Sequence, residues 1–358
     1  MVRFSYAHIP AYPLDESIRL IKVADELGFY AAYACDETWW KDMWLMFAAA
    51  ARETRQIRLG PNVTHVILRD PAHIVQMLGT LDELSEGRAE CVVSSGNQSL
   101  LPQHGVDVTG MKPLARVIEA HEVMRSLLDT GAVTHAGPFF TYPGLWTLSR
   151  PVQERLPIKL GAMGGPRSFR LAGEKFDGLH HALGYTRENF DYVMENLRAG
   201  AESAGRDWRE LDLAAWVVWA CAEDSAAAKE TARIMVAFYL AAMPESQLQR
   251  HGISGSDLKP ILDAFDAGDT QRALDLTAPE LGEMLSIAGT PEECLAKLQR
   301  DILPTGINHI VAGVVDPHLV KVLADRTVPN GVDAATQLQL IHDRVMPGLA
   351  AIGAAPPA

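Results

Sequence analysis

LPIKLGAMGGPRSFRLAGEKFDGLHHAL, residues 156–183, decides the fold. Ile158–Ala162 is a short apolar strand that runs into a glycine-rich turn. Pro166 opens a helix that continues to Lys175, since proline is welcome in a first turn, where its missing N–H leaves nothing unsatisfied. Gly178–His181 is a second strand. A strand, a crossover helix and a second strand in so short a stretch form a βαβ unit, which makes the two strands parallel.

The same alternation extends outward in both directions. Toward the N-terminus, strand signals at Arg3–Tyr6, Tyr30–Ala34, Ile57–Val63 and Ala89–Ser94 are each followed by a helical pattern, at Leu14–Leu27, Trp44–Thr54, Pro71–Ser85 and Pro113–Leu128. Toward the C-terminus come a helix at Thr186–Ala204, a wholly apolar strand at Leu213–Cys221, a helix at Thr290–Asp301, a strand at His309–Ala312 and a helix at Ala334–Leu349. Eight strand signals alternating with helices predict a (β/α)8 TIM barrel, one domain over residues 1–358. Two stretches break the rhythm. Residues 131–156, rich in Pro, Gly and aromatics, are expected to be an insertion near the barrel mouth. Residues 225–288, helical and Ala-rich, are too long for one crossover and are expected to be a helical insertion. A doubly wound dinucleotide fold needs GxGxxG directly after its first strand, and nothing of the kind follows Tyr6.

Composition narrows the function. The chain carries 45 acidic and 32 basic residues, a formal charge of −13, which disfavours a nucleic-acid or anionic-membrane surface. The longest apolar run, Leu213–Ala222, is about half the length of a membrane span. The opening MVRFSYAHIPAYPLDES holds no apolar run of signal-peptide length. Cys35, Cys91, Cys221 and Cys294 are dispersed, as expected of reduced core thiols in a cytoplasmic protein. There is no HExxH, no HxH after the first strand and no GxSxG elbow, so neither a metal centre nor a Ser-His-Asp hydrolase is expected. His180 and His181 are neighbours on a strand and face opposite ways, so they do not chelate one ion.

In a barrel of this kind the chemistry sits at the C-terminal ends of the strands. Those ends carry His8, Asp36-Glu37, Thr64-His65, Ser94-Ser95-Gly96-Asn97, Ala162-Met163-Gly164-Gly165 and His181. The glycine turn before Pro166 offers backbone N–H groups at a helix N-terminus, suited to a phosphate, although the same pattern also serves as a plain strand-to-helix turn. Trp39, Trp40 and Trp44, close behind Asp36-Glu37, are expected to wall an apolar substrate pocket together with His65; ordinary core packing is the alternative.

Three segments carry a family likeness: LGPNVTHVILRDPAHIVQMLGTLDELSEGRA (Leu59–Ala89), LGAMGGPRSFRLAGEKFDG (Leu160–Gly178) and GTPEECLAKLQRDILPTGINHIVAG (Gly289–Gly313). In combination they resemble the bacterial luciferase-like superfamily, and within it the branch that uses the deazaflavin coenzyme F420, such as methylenetetrahydromethanopterin reductase. The resemblance implies a cis peptide at Asn62–Val63, forming with Thr64 a bulge that supports the cofactor's central ring. It implies that Asp36 contacts that ring and that Ser94, Ser95, Gly96 and Asn97 lie along the cofactor edge. It places Ala162, Met163, Gly164, Gly165 and Pro166 around the phosphate, with His181 also on the cofactor side. The implied activity is hydride transfer between reduced F420 and an electrophilic C=C, C=N or C=O carbon of a small, largely apolar or pterin-like molecule. The alternative is an FMN-dependent monooxygenase working with a separate flavin reductase. A homodimer is implied too, with Met43–Ala51 and His73–Leu84 apolar enough to meet a second copy.

Two departures leave the proton donor open. The family often has Asp-His after strand two where this chain has Asp36-Glu37, and some members carry a glutamate after strand one where this chain reads AHIPAYP. Glu37 is the first candidate, because a carboxylic acid among tryptophans holds its proton more tightly. His8 is the second, and His65 and His181 stay in view. Since the coenzyme carries a phosphodiester and a glutamate tail, an acidic protein needs local positive charge, for which Arg69 and Arg167 are the candidates.

Overall fold

The computed structural model describes residues 2–97 and 100–353. Among the described residues there are eleven strands: β1 (Arg3–His8), β2 (Ala31–Ala34), β3 (Arg58–His65), β4 (Cys91–Ser94), β5 (Ala132–Ala136), β6 (Thr141–Trp146), β7 (Ile158–Ala162), β8 (Gly178–Ala182), β9 (Asp212–Cys221), β10 (Ile287–Gly289) and β11 (His309–Val314). The main sheet runs β10-β9-β11-β1-β2-β3-β4-β7-β8, with a further β8–β9 pairing. Leaving out the three-residue β10, this is the eight-strand parallel order of a (β/α)8 barrel. The strand β10 is an addition to the sequence reading, too short to give a period. The helix Pro317–Ala324, capped by Asp316, is also additional.

The chain divides into two compact units: Met1–Ala7, Glu26–Phe29 and Ala162–Ala358 in one, His8–Asp25 and Tyr30–Gly161 in the other. In the first, β9 explains its own composition. Nine of its ten residues are buried, Trp216 alone being half-buried, and a parallel strand covered on both faces needs continuous apolar character rather than alternation. Residues 225–288 form five helices (Ser225–Leu240, Glu245–Arg250, Gly255–Asp266, Thr270–Leu276 and Pro279–Met284) and then enter β10. Among the described residues no helix is long and apolar enough to cross a membrane.

In the second unit the helix Pro71–Leu84 starts on Asp70, whose carboxylate accepts the Ala72 N–H, and has proline in its first turn. The stretch 131–156 contains an antiparallel hairpin, β5 with β6. The buried Glu119 carboxylate holds it by accepting the backbone N–H groups of Phe139 (3.2 Å) and Phe140 (2.8 Å). The apolar helix Met43–Glu53 turns Met43, Trp44, Met46, Phe47, Ala50 and Ala51 into this unit's own core, which accounts for most of its hydrophobic character without a second copy.

That core also contains charge. Glu90, fully buried, faces Lys159 Nζ at 2.7 Å and Arg58 Nε at 2.5 Å, and accepts the hydroxyls of Tyr30 (2.7 Å) and Tyr33 (2.5 Å). A buried ammonium is tolerable only beside a counter-charge. The two partners are therefore unequal. Glu90→Gln removes the carboxylate beside a Lys159 that is 2% exposed and is expected to destabilise the fold by about 3–5 kcal/mol. Lys159→Met leaves Glu90 with Arg58 and two tyrosines and is expected to cost clearly less. Equal shifts in urea unfolding would contradict this asymmetry.

Candidate active site

In the Tyr30–Gly161 unit, the C-terminal ends of β2, β3 and β4 bring the expected residues side by side. Asp36 is buried and accepts four hydrogen bonds. Arg69 Nε (2.6 Å), Thr64 Oγ1 (2.7 Å) and Trp44 Nε1 (3.1 Å) donate to Oδ2, and an Arg69 terminal nitrogen donates to Oδ1 (2.7 Å). Its own backbone N–H donates to Val63 O at 3.1 Å. The carboxylate thus ties the loop after β2 to β3, to the segment after β3 and to the following helix. The Asn62–Val63 peptide is cis, and the β3–β4 register shifts between Asn62 and Thr64. Gly161, ending the unit on β7, makes room for this bulge: a Cβ there would stand 2.3 Å from Val63 Cγ1. Asn62, Val63, Ser94, Ser95, Gly96 and Asn97 are all half-buried, so the strand ends keep an accessible face.

Glu37 has a different environment from its neighbour. Asn97 Nδ2 donates to its Oε1 (3.1 Å) and Trp40 Nε1 to its Oε2 (3.3 Å). Burial pushes its pKa above the ordinary carboxyl value, against those two hydrogen bonds, and the Asp36 charge adds to the push. Two further contacts join the same loops: Thr38 Oγ1 with His104 Nε2 at 2.7 Å, and Trp39 Nε1 donating to Gln103 Oε1 at 2.9 Å.

The tryptophans separate. Trp44 is buried against Asp36, Trp40 is half-buried on Glu37, and Trp39 is 44% exposed. Trp39 and Trp40 keep more exposed surface than Trp44, whose indole N–H is spent on Asp36. His8 is buried, 5.4 Å from the Tyr12 ring, and burial lowers its pKa to about 3. Burial lowers that of His65 as well, and its Nδ1 accepts the Leu68 N–H. Both are neutral imidazoles near pH 7, poor sources of a proton beside Glu37. Arg69 departs from the expected basic rim, since its guanidinium is engaged by Asp36 and lies 3.6 Å from Asp42.

In the other unit, Ala162–Gly165 are half-buried and lead into the helix Pro166–Lys175. Its N-cap is Gly165, with no side-chain cap; Pro166 brings no N–H, and the Ser168 N–H donates to Gly165 O at 3.1 Å. Arg167 is exposed in that first turn. His181 is fully buried and its pKa is lowered by burial to about 3; its Nδ1 is 3.0 Å from Ala162 O and its Nε2 2.8 Å from Asn189 Nδ2. With both nitrogens engaged by the protein, it is no proton donor to substrate. His180 faces the other way, as neighbouring strand residues must. With Asp212 and His309 it forms a buried group of metal-type donors within 4.8 Å of one another. The His309 ring is nonetheless bonded on both sides, to Asp212 Oδ1 (2.8 Å) and Ser5 Oγ (2.7 Å).

The chain belongs to the bacterial luciferase-like family, whose model, described as luciferase-like monooxygenase, matches residues 3–309. Within that family it is similar to 5,10-methylenetetrahydromethanopterin reductases. The protein of Archaeoglobus fulgidus is 29% identical over 352 residues, 97% of this chain and 100% of its own. That of Methanolobus tindarius is 30% identical over 87% of this chain and 93% of its own. The solved F420-dependent tetrahydromethanopterin reductase of Methanopyrus kandleri superposes with a TM-score of 0.86 at 27% identity, over 97% of this chain and 99% of that one.

Arg69→Met tests the support of Asp36. It removes two charge-assisted hydrogen bonds from a buried carboxylate while leaving Thr64 and Trp44, and a loss of about 1.5–3 kcal/mol is expected in chemical denaturation. A change below ~0.5 kcal/mol would mean that Arg69 is not part of the support.

Proposed function

We propose that this chain is an F420-dependent oxidoreductase that reduces an electrophilic carbon of a small molecule, in the first instance the C=N carbon of a pterin-bound one-carbon unit. The observation that supports it most is the full-length similarity to methylenetetrahydromethanopterin reductases, in sequence and in structure. Monooxygenase RslO1 of Streptomyces bottropensis, at 20% identity and a TM-score of 0.70, shares the fold alone.

The residues present fit such a cofactor. In the Tyr30–Gly161 unit the half-buried strand ends around Asn62–Val63 and Ser94–Asn97 offer a seat for a flat ring; taken by itself, the half-buried Ala162–Gly165 turn of the other unit offers backbone N–H groups to an anion. When bound in reduced form, F420 supplies a hydride from C5 of its deazaflavin ring. The protein supplies orientation and the proton. Asp36, fixed by Arg69, Thr64 and Trp44, holds the β2 and β3 ends in register. Glu37, whose pKa burial raises and whose carboxyl Asn97 and Trp40 direct, is the group assigned to give a proton to the atom beside the reduced carbon. Trp39 and Trp40 offer apolar surface to a planar substrate.

This assigns a sign to the pH dependence. Glu37 acts in its protonated form, so kcat/KM for reduction falls as pH rises through its elevated pKa. Glu37→Gln is expected to lower kcat/KM roughly a hundredfold or more and to abolish that alkaline limb; an unchanged rate and profile would remove Glu37 as the acid. The substrate class is tested anaerobically, by following reoxidation of reduced F420 with a methylene-tetrahydropterin, simple imines, enones and ketones. Turnover is expected first with the pterin. Turnover confined to ketones would replace the pterin with a carbonyl substrate.

A further inference from the structure

Arg250, Asn189 and His181 form one line of hydrogen bonds that ends on the glycine turn. Arg250 Nε donates to Asn189 Oδ1 (3.0 Å), Asn189 Nδ2 meets His181 Nε2 (2.8 Å), and His181 Nδ1 meets Ala162 O (3.0 Å). The chemistry of the two ends fixes every proton between them. A carbonyl only accepts, so His181 carries its hydrogen on Nδ1. The ring is neutral, so Nε2 is a bare lone pair and must be met by an N–H. Arginine only donates, so the asparagine oxygen faces it and the amide nitrogen faces the histidine. Phe169 and Phe190 clamp the His181 ring edge-to-face, at 5.4 and 5.6 Å between centroids.

The turn is held at a second point by the same short helix. Ser246 Oγ donates to Gly164 O at 3.4 Å, and Pro244 lies so close that a Cβ on Gly164 would be 3.0 Å from its Cγ. Gln247 anchors this segment to the end of β8, donating to Ala182 O (2.9 Å) and Leu183 O (2.7 Å). A peptide unit is planar and trans, so holding its carbonyl oxygen turns the next N–H the opposite way. With Ala162 O and Gly164 O both held, the N–H groups of Met163 and Gly165 are both directed away from their carbonyls' partners. These two N–H groups, two residues apart, thus face the side opposite those partners, where an anion would meet them.

We propose that Pro244–Arg250, acting through Asn189 and His181, sets the orientation of the Ala162–Met163 and Gly164–Gly165 peptides, which makes Arg250, Asn189 and His181 positioning residues for a bound phosphate. The phosphate rests on the function proposed above; the positioning of the peptides does not. Asn189→Leu removes the donor to Nε2 without adding charge. It is expected to raise the Kd of both F420 and inorganic phosphate about tenfold, to leave kcat at saturating cofactor unchanged, and to shift the Met163 and Gly165 amide resonances. In 15N NMR the native His181 is expected as the pure Nδ1–H tautomer and the variant as a mixture. Arg250→Met, at the half-exposed end of the line, is expected to act in the same direction with less risk to folding. Folded variants with unshifted Met163 and Gly165 amides would overturn the proposal, as would a native His181 protonated on Nε2. If the native protein binds neither phosphate nor F420 while the variants still shift those amides, the positioning stands and the cofactor assignment fails.

Discussion

The site depends on the Asp36 carboxylate accepting four hydrogen bonds from Arg69, Thr64 and Trp44. These donors come from three places in the chain, and none of them alone fixes a strand end. Together they hold the loop after β2 against β3. A charged, buried carboxylate without them would be too costly to keep. Because Asp36 is fixed, the next residue has a defined direction, and Glu37 reaches Asn97 and Trp40 instead of the same cation. Two adjacent carboxyls thus acquire different roles. One is paired with arginine and structural; the other is half-buried with neutral donors and holds its proton more tightly than an ordinary carboxyl. Divergent environments for neighbouring acids are how one site separates a support from an acid.

Other buried polar groups show what a structural assignment looks like. Glu90, fully buried, gathers Lys159, Arg58 and two tyrosines inside one unit. Ser5, His309 and Asp212 are joined in the order of a hydrolytic triad, hydroxyl to Nε2 and Nδ1 to carboxylate. All three are buried, the serine and the histidine completely. A nucleophile that no substrate reaches has no catalytic use, so the connectivity serves packing. Accessibility, not connectivity, separates this group from Glu37.

Much of the architecture was legible in the sequence because it rests on local rules. Residues 156–183 carried the βαβ unit through a proline at a helix start and a glycine turn, and the unbroken apolar run of β9 announced a strand covered on both faces. The parts that escaped are those that local rules do not govern. β10 is only three residues long. The sequence offers Arg69 as local positive charge for an anionic tail, and nothing local shows that it folds back on Asp36. Proximity in sequence groups Trp44 with Trp39 and Trp40, and its place on the following helix turns it inward. The line from Arg250 to Ala162 joins residues 61 and 19 positions apart at two of its three links, and no periodicity records such a contact.

The central claim is that this chain uses a deazaflavin and not a flavin mononucleotide. Titration of the apo-protein with F420 and, separately, with FMN tests it most directly, with ligand and tryptophan fluorescence as readouts. Saturable binding of F420 with FMN much weaker is the predicted result. Tight FMN binding with no saturable F420 binding would contradict the account.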